Sequence, residues 1–204
     1  MALARSIKSE FRFNSGRLCL DLAATVRRRA SHAKDVLAPS GASGRWLHCA
    51  GLFQQAPALS ESEEAGVRQL REAIWELVAG SMHGELPAQA VSVVNSAARY
   101  PLGTPQLDPA TGGVAVISDN PLATALSVIA RDAIDLVSGP LRMRVKTCDQ
   151  ADCRMLFVDT SPAGQRRWCS MQRCGSRAKA DTFMRKHRDS QGQGGGQHQG
   201  RHRH

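Results

Sequence analysis

The sequence predicts an α+β chain, with a mainly helical N-terminal part holding a small antiparallel sheet and a compact cysteine-bearing module after it. Three observations carry that prediction. Aromatic residues make up only 4% of the chain against 42% hydrophobic residues overall, which favours closely packed helices over a broad aromatic-rich sheet. Apolar residues recur at helical spacing in several segments before residue 140. Four of the six cysteines fall within residues 148–174.

Taken in order, Phe11 to Phe13 alternate like a short strand, and Asn14-Ser15-Gly16 reads as a turn. Leu18, Leu20, Leu22, Ala23 and Val26 then suit a helix, which places Arg27-Arg28-Arg29 at its C-terminal end, where cations complement the dipole. Residues 38–44 form a loop before a short helix around Trp46, Leu47, Leu52 and Phe53. Ser60-Glu61-Ser62-Glu63 is a capping box, opening a helix through Leu70, Ile74, Leu77 and Val78. Pro87 fits the first turn of the next helix, through Val91, Val94 and Ala98, because its missing amide proton costs nothing there.

Between Tyr100 and Ser118 proline and glycine punctuate the chain, and Thr111-Gly112-Gly113 predicts a hairpin turn into a strand over 114–117. Asn120-Pro121 caps a long buried helix through Leu126, Ile129, Ala133 and Leu136 that stops at Gly139-Pro140. That dipeptide sets the expected boundary between a domain over 1–140 and a module over 141–188. Residues 189–204 contain no apolar side chain, so the sequence predicts a disordered Gly/Gln/His-rich tail.

Charge divides the chain more sharply than hydropathy does. Residues 1–140 balance 13 Lys and Arg against 13 Asp and Glu, whereas residues 141–204 hold 14 against 5, so the whole net charge of +9 lies beyond residue 140. Such an asymmetry points to a polyanionic partner, with nucleic acid the commonest. The first sixteen residues carry no apolar signal-peptide core and no stretch approaches the roughly 20 apolar residues of a membrane span, so a cytoplasmic protein is expected.

In a reducing compartment, clustered cysteines are metal ligands or redox groups sooner than disulfides. Cys148 and Cys153 form one x4 pair, Cys169 and Cys174 another, and fifteen residues separate the pairs. Each pair can supply one knuckle of a tetrahedral zinc site, and the linker is long enough for a hairpin that brings the knuckles together. Four thiolates close the coordination shell, so the expected Zn2+ is structural. Cys19 and Cys49 stand apart in apolar helical contexts and read as small buried hydrophobes. Within the module, Arg154 to Asp159 reads as a strand, Gln165 to Trp168 as its return, and Gly175 to Arg188 as a helix with Ala180, Phe183 and His187 inward. Knuckle, hairpin, knuckle and helix is the treble-clef order.

The segment from Cys148 to Ala180, with Leu156-Phe157-Val158-Asp159, Arg166-Arg167-Trp168-Cys169-Ser170-Met171 and Cys174-Gly175-Ser176-Arg177, resembles the bacterial CGNR zinc finger, with Ser176 where the name-giving tetrad has Asn. Phe11, Phe13, Gly16 and Leu18, followed by Leu20-Asp21-Leu22-Ala23-Ala24-Thr25, resemble the opening signature of the ABATE domain, with Ala24 where Asn is usual. The resemblance implies an α/β domain joined to a zinc finger in a transcription regulator.

For such a regulator, the expected phosphate-facing cations are Arg166, Arg167, Arg173, Arg177, Lys179, Arg185 and Lys186, with Arg166, Arg167, Arg173 and Lys179 foremost because no carboxylate neighbours them in sequence. Trp168, next to a ligand, is expected over the metal. Asp21 and Thr25, one helical turn apart, are the candidate ligand site of the N-terminal part, for a small-molecule effector, although capping or bonding to a neighbouring strand is the more common role of such a pair. DNA is the expected macromolecular partner and a homodimer a compatible state. A protein-docking or RNA-binding finger is the alternative, weakened for RNA by the few aromatic residues. No nucleophile elbow, P-loop or dinucleotide fingerprint is present, and no enzymatic activity is expected.

Overall fold

The computed structural model describes residues 10–192 except Thr111, with side chains as far as Met184. The N-terminal part is built on five helices: α1 (Leu18–Ala23), α2 (Ala42–Cys49), α3 (Glu61–Ser81), α4 (Ala88–Ala98) and α5 (Pro121–Ser138). Helix α3 is the hub, packing on α1, α4 and α5, and α4 lies against α5. Its core stripe, Val67, Leu70, Ile74, Leu77 and Val78, is buried at 3.6-residue spacing and meets Leu20 and Leu22 of α1, Val94 of α4, and Ile129, Ala133 and Leu136 of α5. Trp46 and Leu47 of α2 complete the core, fully buried.

The caps follow the sequence. Ser60 Oγ accepts the N–H of Glu63 while Glu63 returns to the Ser60 amide, and Asn120 Oδ1 accepts from Ala123 with Pro121 at the first helical position. Pro87 sits one residue earlier than expected, at the N-cap of α4. Strand β4 (Val114–Ile117) pairs antiparallel with β3 (Thr104–Leu107), with Gly112 and Gly113 in the connecting turn; Thr111 of the expected turn lies outside the described residues.

Four local expectations are corrected. Residues 11–13 are not a strand: the chain bends at Phe11, which is buried in the core, and Phe13 lies against Trp46, ring centroids 5.7 Å apart. Helix α1 ends at Ala23, before the arginines: Val26–Arg27 is strand β1, paired with β2 (Lys34–Asp35), and Arg28 turns the chain with φ of 56°. In the module, β6 (Leu156–Val158) pairs not with residues 165–168 but with β5 (Val145–Thr147), ahead of the first cysteine. Helix α6 runs from Ser176 to Gly192, four residues into the expected tail, and its Ala180 and Phe183 are exposed, not inward. The side chain of His187 and residues 193–204 lie outside the described residues.

Gly139-Pro140 ends α5 as expected, and the module beyond it packs directly on the helical core. A 3-10 turn over Pro140–Arg144 leads directly into β5, and Val145, Leu156 and Val158 join the same apolar cluster as the helices. The seam is the Asn14-Ser15-Gly16 turn. Val158 donates its N–H to Ser15 O at 2.8 Å, and Asn14 Nδ2 reaches Cys169 O at 3.5 Å. Gly16, at φ of +88°, approaches so closely that a Cβ there would lie 3.3 Å from Val158 Cβ.

Candidate metal centre

Each cysteine pair is shaped by its own backbone turn. Cys148 donates its N–H to Met155 O, and Cys153 and Arg154 both donate to Gln150 O, with Arg154 in the left-handed region at φ of 50° to close the first knuckle. In the second, Cys174 and Gly175 both donate to Ser170 O, making one π-type turn over Met171–Gly175. Ser176, in the position where the tetrad has Asn, donates its hydroxyl to Met171 O at 3.2 Å and so closes that turn.

These turns bring Cys148, Cys153, Cys169 and Cys174 together as expected, their Sγ atoms all within 4.8 Å of one another and all four side chains buried. Cys153 and Cys169 stand 3.7 Å apart and Cys169 and Cys174 3.6 Å. Four sulfurs on a tetrahedron at the usual Zn–S length of about 2.3 Å are about 3.8 Å apart, so the set fits one zinc ion. Cys169 also donates its N–H to Cys148 Sγ at 3.5 Å, a contact that stabilises a thiolate.

Without a cation the four thiols cannot all ionise together. Hydrogen bonds from Cys148 and Cys169 hold Cys153 far below the usual thiol range, whereas burial and the charges of Cys153 and Cys148 push Cys174 up to about 12. Cys169 is raised too, through its bond to Cys148 first. Four adjacent negative charges cannot coexist without metal, so binding zinc expels protons.

A hidden support holds the second knuckle in place. Asp159, wholly buried, accepts from Lys146 Nζ at 2.8 Å, Ser161 Oγ at 2.6 Å, Ser161 N at 3.0 Å and Arg166 N at 2.8 Å. Those donors, Lys146 foremost, keep its carboxyl well below the ordinary carboxylate range. Sequence reading assigned Asp159 no role; the signal was the acidic residue opening Asp159-Thr160-Ser161, the pattern of a side-chain-closed turn. Trp168 packs on the cysteine cluster as expected, and so does Ala24, at the end of α1.

The cations expected to face phosphate divide into groups. Arg166 turns inward, its Nε donating to Trp168 O at 2.9 Å and its Nη2 to Cys169 O, with the guanidinium 4.7 Å over the Phe157 ring. Arg167 is exposed but pairs with Asp149 at 2.7 Å and lies over Trp168. Arg167, without an acidic neighbour in sequence, thus gains one in space, and Arg166 is taken up by main-chain oxygens. Lys179 faces a shallow hollow shared with Asp149 and Asp181. The side chains of Arg185 and Lys186 lie outside the described residues.

Arg173 and Arg177 go elsewhere. They line a recess of about 470 Å³ together with Arg12, Arg27, Arg28 and Lys34 of the N-terminal part, and with the ligands Cys153 and Cys174. Burial, then repulsion from Arg173 in the one and Arg12 in the other, lowers the pKa of Arg12 and of Arg27. The residues missed by sequence are thus Arg12, Arg27, Arg28 and Lys34. The Arg27-Arg28 run was visible, but reading it as a helix end hid it.

Asp21 and Thr25 are both buried and bonded within the chain. Asp21 is 8% exposed and its Oδ1 accepts Ser15 N at 2.9 Å, holding the seam turn; Thr25 is 2% exposed and bonds Leu22 O at 2.7 Å. Burial raises the Asp21 carboxyl to about 6 against the bonds from Ser15.

Comparison with known families agrees with this architecture. The ABATE profile, described as "Putative stress-induced transcription regulator", matches residues 16–140, and the CGNR zinc finger profile matches residues 144–187. No curated protein matches the chain. With the ABATE match covering more than half of its length and four thiols set for one zinc ion at its C-terminal finger, the chain belongs to the ABATE family and carries a CGNR zinc finger.

Proposed function

We propose that this protein regulates transcription by binding DNA through its zinc-held C-terminal module, which we read as a treble clef from its strand pair around the first knuckle, its second knuckle and the helix α6 that follows. The observation that carries the proposal is the charge: the entire +9 excess lies beyond residue 140, and Arg173 and Arg177 beside the metal are exposed and have no ion pair among the described residues. Zinc with four thiolates carries about −2, which neutralises about two nearby cations and leaves the remainder for phosphate. In this reading the chain is a cytoplasmic binding protein and not an enzyme. Its N-terminal part contributes sensing or assembly, and the exposed apolar side chains of β3 and β4, Leu107, Val114 and Val116, suit contact with a second copy.

The test is selection of bound sequences from random duplex DNA by the zinc-loaded chain, with retention measured across salt concentrations. Specific enrichment supports a sequence reader, and salt-sensitive retention without enrichment a non-specific binder. No retention at low ionic strength sinks the DNA reading in favour of a docking or RNA-binding finger.

A further inference from the structure

We propose that the recess between the N-terminal part and the finger is a receptor site for a phosphate-type oxyanion, gripped from one side by Arg12, Arg27 and Arg28 and from the other by Arg173 and Arg177. The proposal goes beyond DNA recognition by the finger and does not rest on it.

The argument begins with charge. Six lining residues, the five arginines and Lys34, are cationic, and among the described residues no carboxylate lines the recess. Of the neighbouring acids, Glu10 pairs with Arg45 at 3.3 Å while its carbonyl accepts from Arg27 Nη2, and Asp35 forks onto Arg71 at 2.6 and 2.8 Å. The metal centre behind Cys153 and Cys174 supplies about two negative charges, so roughly four cations remain unbalanced.

Solvation argues in the same direction. Arg12 Nε and Arg27 Nε are buried without a hydrogen-bond partner, an arrangement that costs free energy unless an acceptor arrives. Guanidinium groups present paired donors in a plane, which matches an oxyanion with several acceptor oxygens better than a monovalent halide. The volume, about 470 Å³, exceeds one phosphate and falls in the range of small-molecule sites, so the group can belong to a larger molecule.

Position gives the site a consequence. Arg27, Arg28 and Lys34 come from the β1–β2 hairpin, while Arg173 and Arg177 flank Cys174 at the start of α6. An oxyanion seated there bridges the hairpin to the second zinc knuckle. Two sources offer this chemistry, a free phosphorylated small molecule and a backbone phosphate of nucleic acid.

The experiment uses the full zinc-loaded chain. Melting is followed in inorganic phosphate and in chloride at matched ionic strength, for the native chain, Arg12→Met, the double variant Arg28→Ala with Arg177→Ala, and Arg99→Ala on the far end of α4 as control. Phosphate should raise the Tm by about 2–5 °C at concentrations several-fold above its Kd, in the native chain and the control, and both recess variants should lose most of the shift. The double variant changes only exposed side chains, so it decides the matter if Arg12→Met does not fold. A phosphate effect no larger than that of chloride, or a full shift in the double variant, overturns the proposal. A second arm adds labelled duplex DNA at constant ionic strength. Displacement by phosphate identifies a backbone phosphate as the occupant, DNA retained beside bound phosphate identifies a free ligand, and a phosphate shift with no DNA binding keeps the site while removing the DNA reading.

Discussion

Val158 of the finger donates its backbone N–H to the carbonyl of Ser15 in the N-terminal part, 2.8 Å away, so the metal module and the helical core share a main-chain hydrogen bond as well as an apolar cluster. Removing zinc is therefore expected to weaken the whole chain and not only the finger. Chelation, or Cys169→Ser, should lower the melting temperature of the helical far-UV signal in a single transition. An unchanged helical transition after metal loss would show that the seam contributes nothing. Gly16→Ala tests the same seam from its other side, because φ of +88° and the approach of Val158 Cβ predict a loss of about 1–3 kcal/mol by denaturant titration.

Arg166 and Arg173 with Arg177 should behave differently when neutralised. Arg166→Ala removes donors to the carbonyls of Trp168 and Cys169, so it should weaken zinc retention against a competing chelator. Arg173→Ala with Arg177→Ala should leave zinc retention unchanged and flatten the salt dependence of DNA binding by about two units of slope.

Asp159→Asn should also loosen the metal site. An amide cannot accept on both sides from Lys146, Ser161 and Arg166, so the 159–166 loop that delivers Cys169 loses its anchor. Zinc affinity measured by chelator competition should fall about tenfold or more. An unchanged affinity would assign the Asp159 cluster to loop stability alone.

Asp21 should titrate near pH 6 by carboxyl NMR, since burial raises it from 3.8 to about 6. A raised carboxyl binds its proton more tightly in the native state than in the unfolded one. Its stabilising contribution is full below about pH 4 and is lost as pH rises to 6, leaving a buried carboxylate that costs stability at neutrality. In Asp21→Asn this part of the pH dependence should vanish.

Ser60→Ala should cost about 1 kcal/mol by thermal or denaturant unfolding, because the Ser60 hydroxyl accepts the Glu63 amide at the head of the longest core helix. No measurable loss would mean that the capping box adds nothing beyond the packing of α3.

The sequence by itself determined the helices that carry their own punctuation and the identity of the metal ligands. Ser60 to Glu63 and Asn120-Pro121 specify helix starts through bonds within a single turn, and the stripe from Val67 to Val78 specifies a buried face. The two x4 cysteine pairs specify zinc because ligand number and knuckle length are local quantities. Only the tertiary structure decided which cations are free. Arg166 and Arg167 have no acidic neighbour in sequence, yet folding turns one onto main-chain oxygens and brings Asp149 to the other. Arg12, Arg27 and Arg28, which local pattern assigned to a strand and a helix end, meet Arg173 and Arg177 across more than 140 residues. A charge is paired or unpaired according to what lies within a few ångströms in space, and periodicity along the chain carries no record of that distance.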